Sequence, residues 1–557
     1  MISKPKFSQM SYVSPLGMLY KWEKEKPEMI FLAQPINDIW KKWTWKEAAY
    51  EVRTMAAALK AKNFPEGSHI ALLSKNCAHW LLCDLAIMMA GHVSIPLYPN
   101  LHPDIIHQIL VHSEAKLLFV GKLDDWESMK AGAPSGLECI SFPIYPHPGY
   151  EQWDEFRLSV EPLAGNPDRE ENEIATIIYT SGTTGAPKGV VHSFYNIYFT
   201  LINAIPHLGL DHNSRFFSYL PLSHIAERLL VEFGSLYTGG EIYFTESLEK
   251  FPKNLRDAAP TVFFAVHRIW KKFQLGILDK LPQEKLNRLL SIPLVSWLIK
   301  NKIKKGLGLA RAKSIFTGAS PTPAPLIEWF GTLGIPIQEA YGLTENCCYS
   351  NVILRNKIRP GFVGQPFPKC EVRLADQNEI QMKHGALMKG YYKEPVLTAE
   401  AFTSDGFLRT GDEGFIDGDG FLKITGRIKE LFKTSKGKYV SPSPIEMRIA
   451  VNPDIEWVCV VGSGLPQPMA LIILSEQGKN KSRQIVHDES QKMIHELNAS
   501  LSTHEHLSKF IFLDDEWTTS NGMLTPSLKI RRNQIEKKYS GRYESWAEEK
   551  GFLIWTK

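Results

Sequence analysis

A chain of 557 residues is too long for a single hydrophobic core and predicts two or more domains. Charged residues at 22% and hydrophobic residues at 44% are ordinary for a globular protein and speak against a disordered or fibrous chain. A net charge of only +4 argues against a dedicated nucleic-acid binder, and seven scattered cysteines fit reduced thiols in the cytoplasm better than a disulfide framework or a metal site. The first residues lack the apolar core of a signal peptide, and no stretch reaches the roughly 18 apolar residues of a spanning helix, so a soluble protein is expected.

In chain order, 43–62 reads as a helix, His69–Leu73 as a strand and 80–90 as an apolar helix. Val93–Leu97 follows as a strand, 105–112 as a helix and 116–120 as a strand. Such alternation predicts a parallel sheet covered on both faces. Residues 124–167, rich in Pro and Gly, read as a long connection. Strands are again expected at 174–179, Glu241–Phe244, 262–266 and Ser314–Thr317. Residues 280–313 interrupt this with a basic, apolar helical insertion that carries six Lys/Arg and no acid from Lys300 to Lys313. A solvated face is the ordinary reading; peripheral contact of 285–313 with an anionic membrane is the alternative. The last 130 residues mix short strands (420–424, 457–461, 471–474, 509–513) with helices near 444–451 and 483–500, a separate α+β pattern.

The segment Tyr179-Thr180-Ser181-Gly182-Thr183-Thr184-Gly185-Ala186-Pro187-Lys188-Gly189-Val190 leaves a buried strand. Glycines let backbone amides approach a ligand; Ser181, Thr183 and Thr184 add hydroxyls and Lys188 one mobile charge, a polyphosphate cradle. The Walker A spacing fails, since Gly189 stands where a Mg²⁺-binding hydroxyl should be. Further on, Tyr341-Gly342-Leu343-Thr344-Glu345 offers a ring for a base, a hydroxyl for phosphate and a hard oxygen for Mg²⁺. Thr410-Gly411-Asp412 offers an acceptor-only carboxylate suited to two hydroxyls. Cys347 and Cys348 could be redox-active but read better as packing beside a pocket.

Together these motifs resemble the adenylate-forming superfamily, and the strings 220–228, 387–430 and 524–529 resemble its long-chain fatty acyl-CoA synthetases. The resemblance covers about 15–540. It implies an α/β protein with a large N-terminal domain (1–428) of stacked, mostly parallel sheets covered by helices plus a β-barrel-like subdomain. A small mobile α+β C-terminal domain (429–557) completes it. It further implies that Thr180, Ser181, Gly182, Thr183 and Gly185 bind phosphates, with Thr184 and Lys188 in catalytic roles. Gly318, Ala319, Glu339, Ala340, Tyr341, Gly342 and Thr344 would line the nucleotide, Asp412 and Arg427 would hold the ribose, and Glu345 the Mg²⁺. His224 would gate the acyl pocket without acting as a base, Lys429 would be the hinge and Lys529 the catalytic lysine. ATP, Mg²⁺ and coenzyme A are the implied cofactors and co-substrates, and fatty acid the substrate, in the cytoplasm or at the inner membrane face. An acyl-AMP ligase serving a carrier protein and a non-catalytic nucleotide- or acyl-binding protein stay as alternatives. His267, Asn346-Cys347-Cys348 and Lys436 depart from the family pattern without removing a catalytic group.

Overall fold

The computed structural model describes residues 11–181 and 187–556. Two large sheets form the body. In the first, Gly390–Tyr391, Pro187–Ser193, Ile174–Ser181, Val93–Leu97, His69–Leu73, Leu117–Val120, Glu138–Ser141 and Glu151–Gln152 lie side by side. From Ile174–Ser181 outward to Glu151–Gln152 the pairing is parallel; the Ile174–Ser181 and Pro187–Ser193 pair is an antiparallel hairpin. The second sheet has nine strands and a parallel centre at Arg215–Ser218, Glu241–Phe244, Val262–Ala265, Ser314–Thr317 and Gln338–Tyr341.

The helix Ala78–Met89 is buried on every residue and joins one hydrophobic core with Phe31 and Leu32 of the second sheet and Leu72 and Phe119 of the first. A helix apolar at all but His79 and Asp84, the latter paired with Arg228, has no face to give to water, so it settles between two sheets. The helix Trp45–Ala61 packs beside it, started by a capping box in which Thr44 and Glu47 satisfy each other's backbone amides.

A four-stranded antiparallel half-barrel follows (Glu371–Leu374, Glu379–Lys383, Leu408–Ile416, Leu422–Arg427). The chain ends on a sheet of Ile455–Val461, Met469–Leu474, Lys509–Phe512 and Leu553–Trp555, with its own apolar cores. This is the α/β architecture expected. No helix among the described residues is long and apolar enough to cross a membrane.

Two expectations need correction. Residues 124–167 are not a bare connection: they hold the short helices Trp126–Met129 and Trp153–Arg157 and the edge strands Glu138–Ser141 and Glu151–Gln152. Strands of four and two residues are too short to register as a period. A strand hairpin, Ile30–Ile36 with Ile39–Thr44, precedes the first expected helix, turning at Asn37 and Asp38, both at positive φ.

Candidate active site

The hairpin that carries the phosphate-loop sequence pairs Thr180 with Lys188 and Ser181 with Pro187. Gly182, Thr183, Thr184 and Gly185 lie outside the described residues. Pro187–Ser193 also pairs with Gly390–Tyr391, and through that pairing the Lys188 ammonium stands 5.6 Å from the centre of the Tyr391 ring. The Tyr391 hydroxyl donates to Glu345 Oε1 at 2.9 Å. Lys188 and Glu345, 157 positions apart in sequence, therefore flank one aromatic ring.

The strand Gln338–Tyr341 includes the tyrosine itself. Gly318 passes close to it: a Cβ there would lie 2.8 Å from the Ala340 carbonyl. Ala319 has φ +63°. At Gly342 a Cβ would come within 2.4 Å of the Cys348 backbone, so the turn after the strand closes only with glycine. Glu339 is buried, its Oε2 has no hydrogen-bond partner, and burial pushes its carboxyl up to about 8. The other side of the carboxyl is met by the backbone of Gly361 and Thr322, which oppose the shift, so one oxygen on the strand beside Thr317 and Gly318 keeps its capacity for a polar group.

Asp412 and Arg427 face each other across the half-barrel hairpin Leu408–Ile416/Leu422–Arg427. Arg427 Nε donates to Asp412 Oδ1 at 2.8 Å, and the Tyr341 hydroxyl donates to Oδ2 at 2.6 Å. Each oxygen keeps a lone pair for a further donor. The Arg427 guanidinium is held above its usual range, first by Asp412, and the Tyr341 phenol is held protonated by burial and then by Asp412.

Lys529 is on a tight turn. Thr525 N–H donates to the Lys529 carbonyl at 2.7 Å, Lys529 N–H donates to Thr525 Oγ1 at 3.0 Å, and Leu528 between them has φ +57°. The turn meets the N-terminal body where Asn100 Nδ2 donates to the Pro526 carbonyl at 3.1 Å. Lys529 is exposed. Surrounding protein lowers its ammonium pKa first, Arg427 second, while Asp412 opposes them. Lys529 also acts on His224, whose imidazole is pushed down to about 4 mainly by burial. A neutral His224 caps a short helix, accepting from Ala226 N–H at 3.2 Å. Lys429, in the turn Ile428–Glu430, is exposed.

Two supporting residues had no local sequence signal. One is Tyr391. The other is His192, whose Nε2 donates to the Thr344 carbonyl at 2.8 Å while the Cys347 thiol stands 3.3 Å from Nδ1. A carbonyl only accepts, so Nε2 carries the proton and the thiol donates to Nδ1. Cys347 is thus a buried structural thiol, not a redox pair with Cys348. In the 220–228 string, Glu227 and Arg228 are buried scaffolding: Arg228 bonds Asp84, Glu232 and Thr176.

Glu345 suits a hard divalent cation. Tyr391 occupies only one of its oxygens, and among the described residues no group of three metal-ligating side chains competes. One carboxylate plus substrate phosphates is how Mg²⁺ is commonly held.

The profile of the AMP-binding enzyme family matches residues 19–392, and that of the AMP-binding enzyme C-terminal domain matches 430–547. The chain belongs to the AMP-binding enzyme family. Among its relatives, the long-chain-fatty-acid–CoA ligase FadD15 of Mycobacterium bovis is 27% identical, over 95% of this chain and 96% of that protein. The peroxisomal long chain acyl-CoA synthetase 6 of Arabidopsis thaliana is also 27% identical, over 92% of this chain and 82% of its own length. Among solved structures, the adenylation domain of a carboxylate reductase from Mycobacterium chelonae superposes with a TM-score of 0.81 at 20% identity, over 98% of this chain and 92% of that one. The o-succinylbenzoate CoA synthetase of Bacillus subtilis, solved with its acyl-adenylate intermediate, gives 0.74 at 22% identity over 95% and 99%. At these identities the structures speak for the fold.

Proposed function

We propose that the chain activates a fatty acid with ATP and transfers the acyl group to coenzyme A. In the first step a carboxylate oxygen attacks the α-phosphorus and pyrophosphate leaves, giving an acyl-adenylate. In the second the coenzyme A thiol attacks the acyl carbonyl, forming the thioester and releasing AMP and the thiol proton. The observation that carries this reading is the bonded Asp412–Arg427–Tyr341 corner, whose charges act on the Lys529 ammonium. It couples a mobile cation to a carboxylate with capacity for two hydroxyls, as an acyl-adenylate requires.

In this reading Thr180, Ser181, Gly182, Thr183, Thr184, Gly185 and Lys188 hold the β- and γ-phosphates. Gly318, Ala319, Glu339, Ala340, Tyr341, Gly342 and Thr344 line the base and α-phosphate side. The protonated Glu339 carboxyl pairs with polar edges of the base. Asp412 and Arg427 take the ribose hydroxyls, and Lys529 bridges the attacking carboxylate and the α-phosphate. His224, neutral near pH 7, lines the acyl channel; no base is required because a fatty acid is already ionised. Glu345 would hold Mg²⁺, which when bound neutralises phosphate charge. The chain divides at 428/429, with Lys429 as hinge.

The long acyl chain is favoured by the 220–228 and 524–529 strings and by the named relatives. ATP–pyrophosphate exchange over acids of increasing length, with and without coenzyme A, tests it. Exchange should rise with chain length and thioester should form only with coenzyme A. Adenylate that accumulates untouched by coenzyme A would point to a carrier-protein acceptor, and absence of any acid-dependent exchange would leave a binding protein. Lys529→Ala should lower exchange by a factor of about 100 or more while still converting supplied acyl-adenylate to thioester. Equal loss of both steps would remove Lys529 from its role.

A further inference from the structure

The helix Pro293–Gly306 turns Ser296, Ile299 and Ile303 toward the protein and leaves Leu294, Trp297, Leu298, Asn301, Lys302 and Lys305 outward. That stripe follows the i, i+3, i+4, i+7 spacing of one helical face. Its first half is apolar and open: Leu294 is 73% exposed and Trp297 62%, with Ile292 and Leu298 beside them also exposed. Its second half is cationic. A soluble face would reverse the first half, because large apolar side chains clustered in water carry a hydration cost with nothing to offset it.

The surrounding charge is of one sign. Residues 285–313 contain eight Lys/Arg and no Asp/Glu, against a net +4 for the whole chain, so the rest of the molecule is net negative. Among the described residues none of these eight forms an ion pair. Burial holds the Lys304 ammonium below its ordinary value, and Arg355 and Lys300 lower it further. Arg355 in turn donates to the Lys313 carbonyl at 2.8 Å. Arg311, Lys313 and Arg355 line a cleft of about 420 Å³ together with Asn213 and Thr261. An uncompensated cluster of like charges around a cleft is stabilised by an external anion.

We propose that this face docks on an anionic phospholipid surface. Ile292, Leu294, Trp297 and Leu298 enter the interface, Lys302 and Lys305 meet the headgroup layer, and the Arg311/Lys313/Arg355 cleft takes a phosphate headgroup. A polyanion such as RNA would satisfy the cations but leaves the apolar half in water; a bilayer satisfies both halves. The surface stands whichever acid the enzyme activates.

Flotation of the full-length protein with phosphatidylcholine vesicles, and with vesicles that also contain phosphatidylglycerol, tests it. The protein should float with the mixed vesicles, far less with the neutral ones, and less as salt rises. Lys302→Gln/Lys305→Gln and, separately, Arg311→Gln/Lys313→Gln should each weaken partitioning by roughly fivefold per charge removed. Leu294→Ser/Trp297→Ser should weaken it about tenfold or more. All six positions are exposed, and unchanged circular dichroism and thermal midpoint check that the variants fold. Equal flotation on both vesicle types overturns the proposal. So does binding that none of the three pairs alters. Binding to heparin or RNA with no flotation, unaffected by the apolar pair, would assign the patch to a polyanion and overturn it too.

Discussion

Burial at the end of the strand Gln338–Tyr341 pushes the Glu339 carboxyl up to about 8 against an ordinary value of 4.5. Between those two values the folded chain holds a proton there that the unfolded chain has released, so stability falls as pH rises across that window. Glu339→Gln imitates the protonated carboxyl and removes this slope. The variant should gain on the wild type by up to about 1.4 kcal/mol per pH unit from about pH 5 to about pH 8, then hold a constant difference. Denaturant unfolding across that range measures it. Glu227, likewise held near 8, is unchanged in both proteins and cancels from the comparison. Parallel stability curves would mean that Glu339 is ionised in the folded protein. If the carboxyl reads the base of the nucleotide, Glu339→Gln should retain AMP binding at neutral pH while Glu339→Leu should weaken it by about 1–3 kcal/mol.

The hairpin Ile174–Ser181/Pro187–Ser193 carries the glycine- and threonine-rich loop sequence, and His192 joins it to the Thr344 turn. His192→Ala strips the Thr344 carbonyl of its donor and the Cys347 thiol of its acceptor, and should cost about 1–3 kcal/mol of stability. Cys347→Ala should cost less, because the carbonyl stays bonded. Thermal unfolding of the two variants and the double variant should give a coupling of about 0.5–1.5 kcal/mol; zero coupling would break the link between thiol and ring. This element also marks where the sequence stops being readable. Tyr341, Glu345, Asp412 and Arg427 stand in contiguous strings whose chemistry needs neighbouring residues, so they could be picked out one motif at a time. Tyr391 and His192 owe their places to a pairing between strands 200 residues apart, Gly390 against Val191 and Tyr391 against Val190. Register of that kind leaves no local trace. The same holds for the strand pair within 124–167, which gains its shape from the sheet edge it joins. Core spacing is legible where helices are long, as at Ala78–Met89, because a helix apolar on nearly every face has only one place to go.

At the scale of the whole molecule, the position of Lys529 depends on how the segment from 430 onward rests against the N-terminal body. Besides the Asn100–Pro526 bond and the packing of the helix Pro442–Ile449 on the strand Leu422–Arg427, where Ser441 Oγ donates to the Thr425 carbonyl at 3.1 Å, that rest involves the helix His267–Lys280. The Arg268 guanidinium lies 3.3 Å from the centre of the Trp457 ring, and its Nη2 donates to the Glu456 carbonyl at 3.3 Å. Lys271 Nζ donates to the carbonyls of Ala450 and Asn452, at 2.7 and 2.6 Å, just past the C-terminus of the helix Pro442–Ile449. A cation at that end meets the negative pole of the helix as well as its unpaired carbonyls. Stacking of this kind is worth about 0.5–2 kcal/mol and each hydrogen bond from a charged donor about 1.5–3 kcal/mol. Both side chains bond to the far segment, and neither bonds to Asp412 or Arg427. If adenylation needs this arrangement and thioester formation a different one, Arg268→Ala/Lys271→Met should slow pyrophosphate exchange about tenfold. Conversion of supplied acyl-adenylate to thioester should be unchanged or faster, because the variant loses only what holds the first arrangement together. Both half-reactions slowed alike would mean that the contact maintains the fold rather than choosing between arrangements, and both unchanged would mean that Lys529 reaches its corner without it.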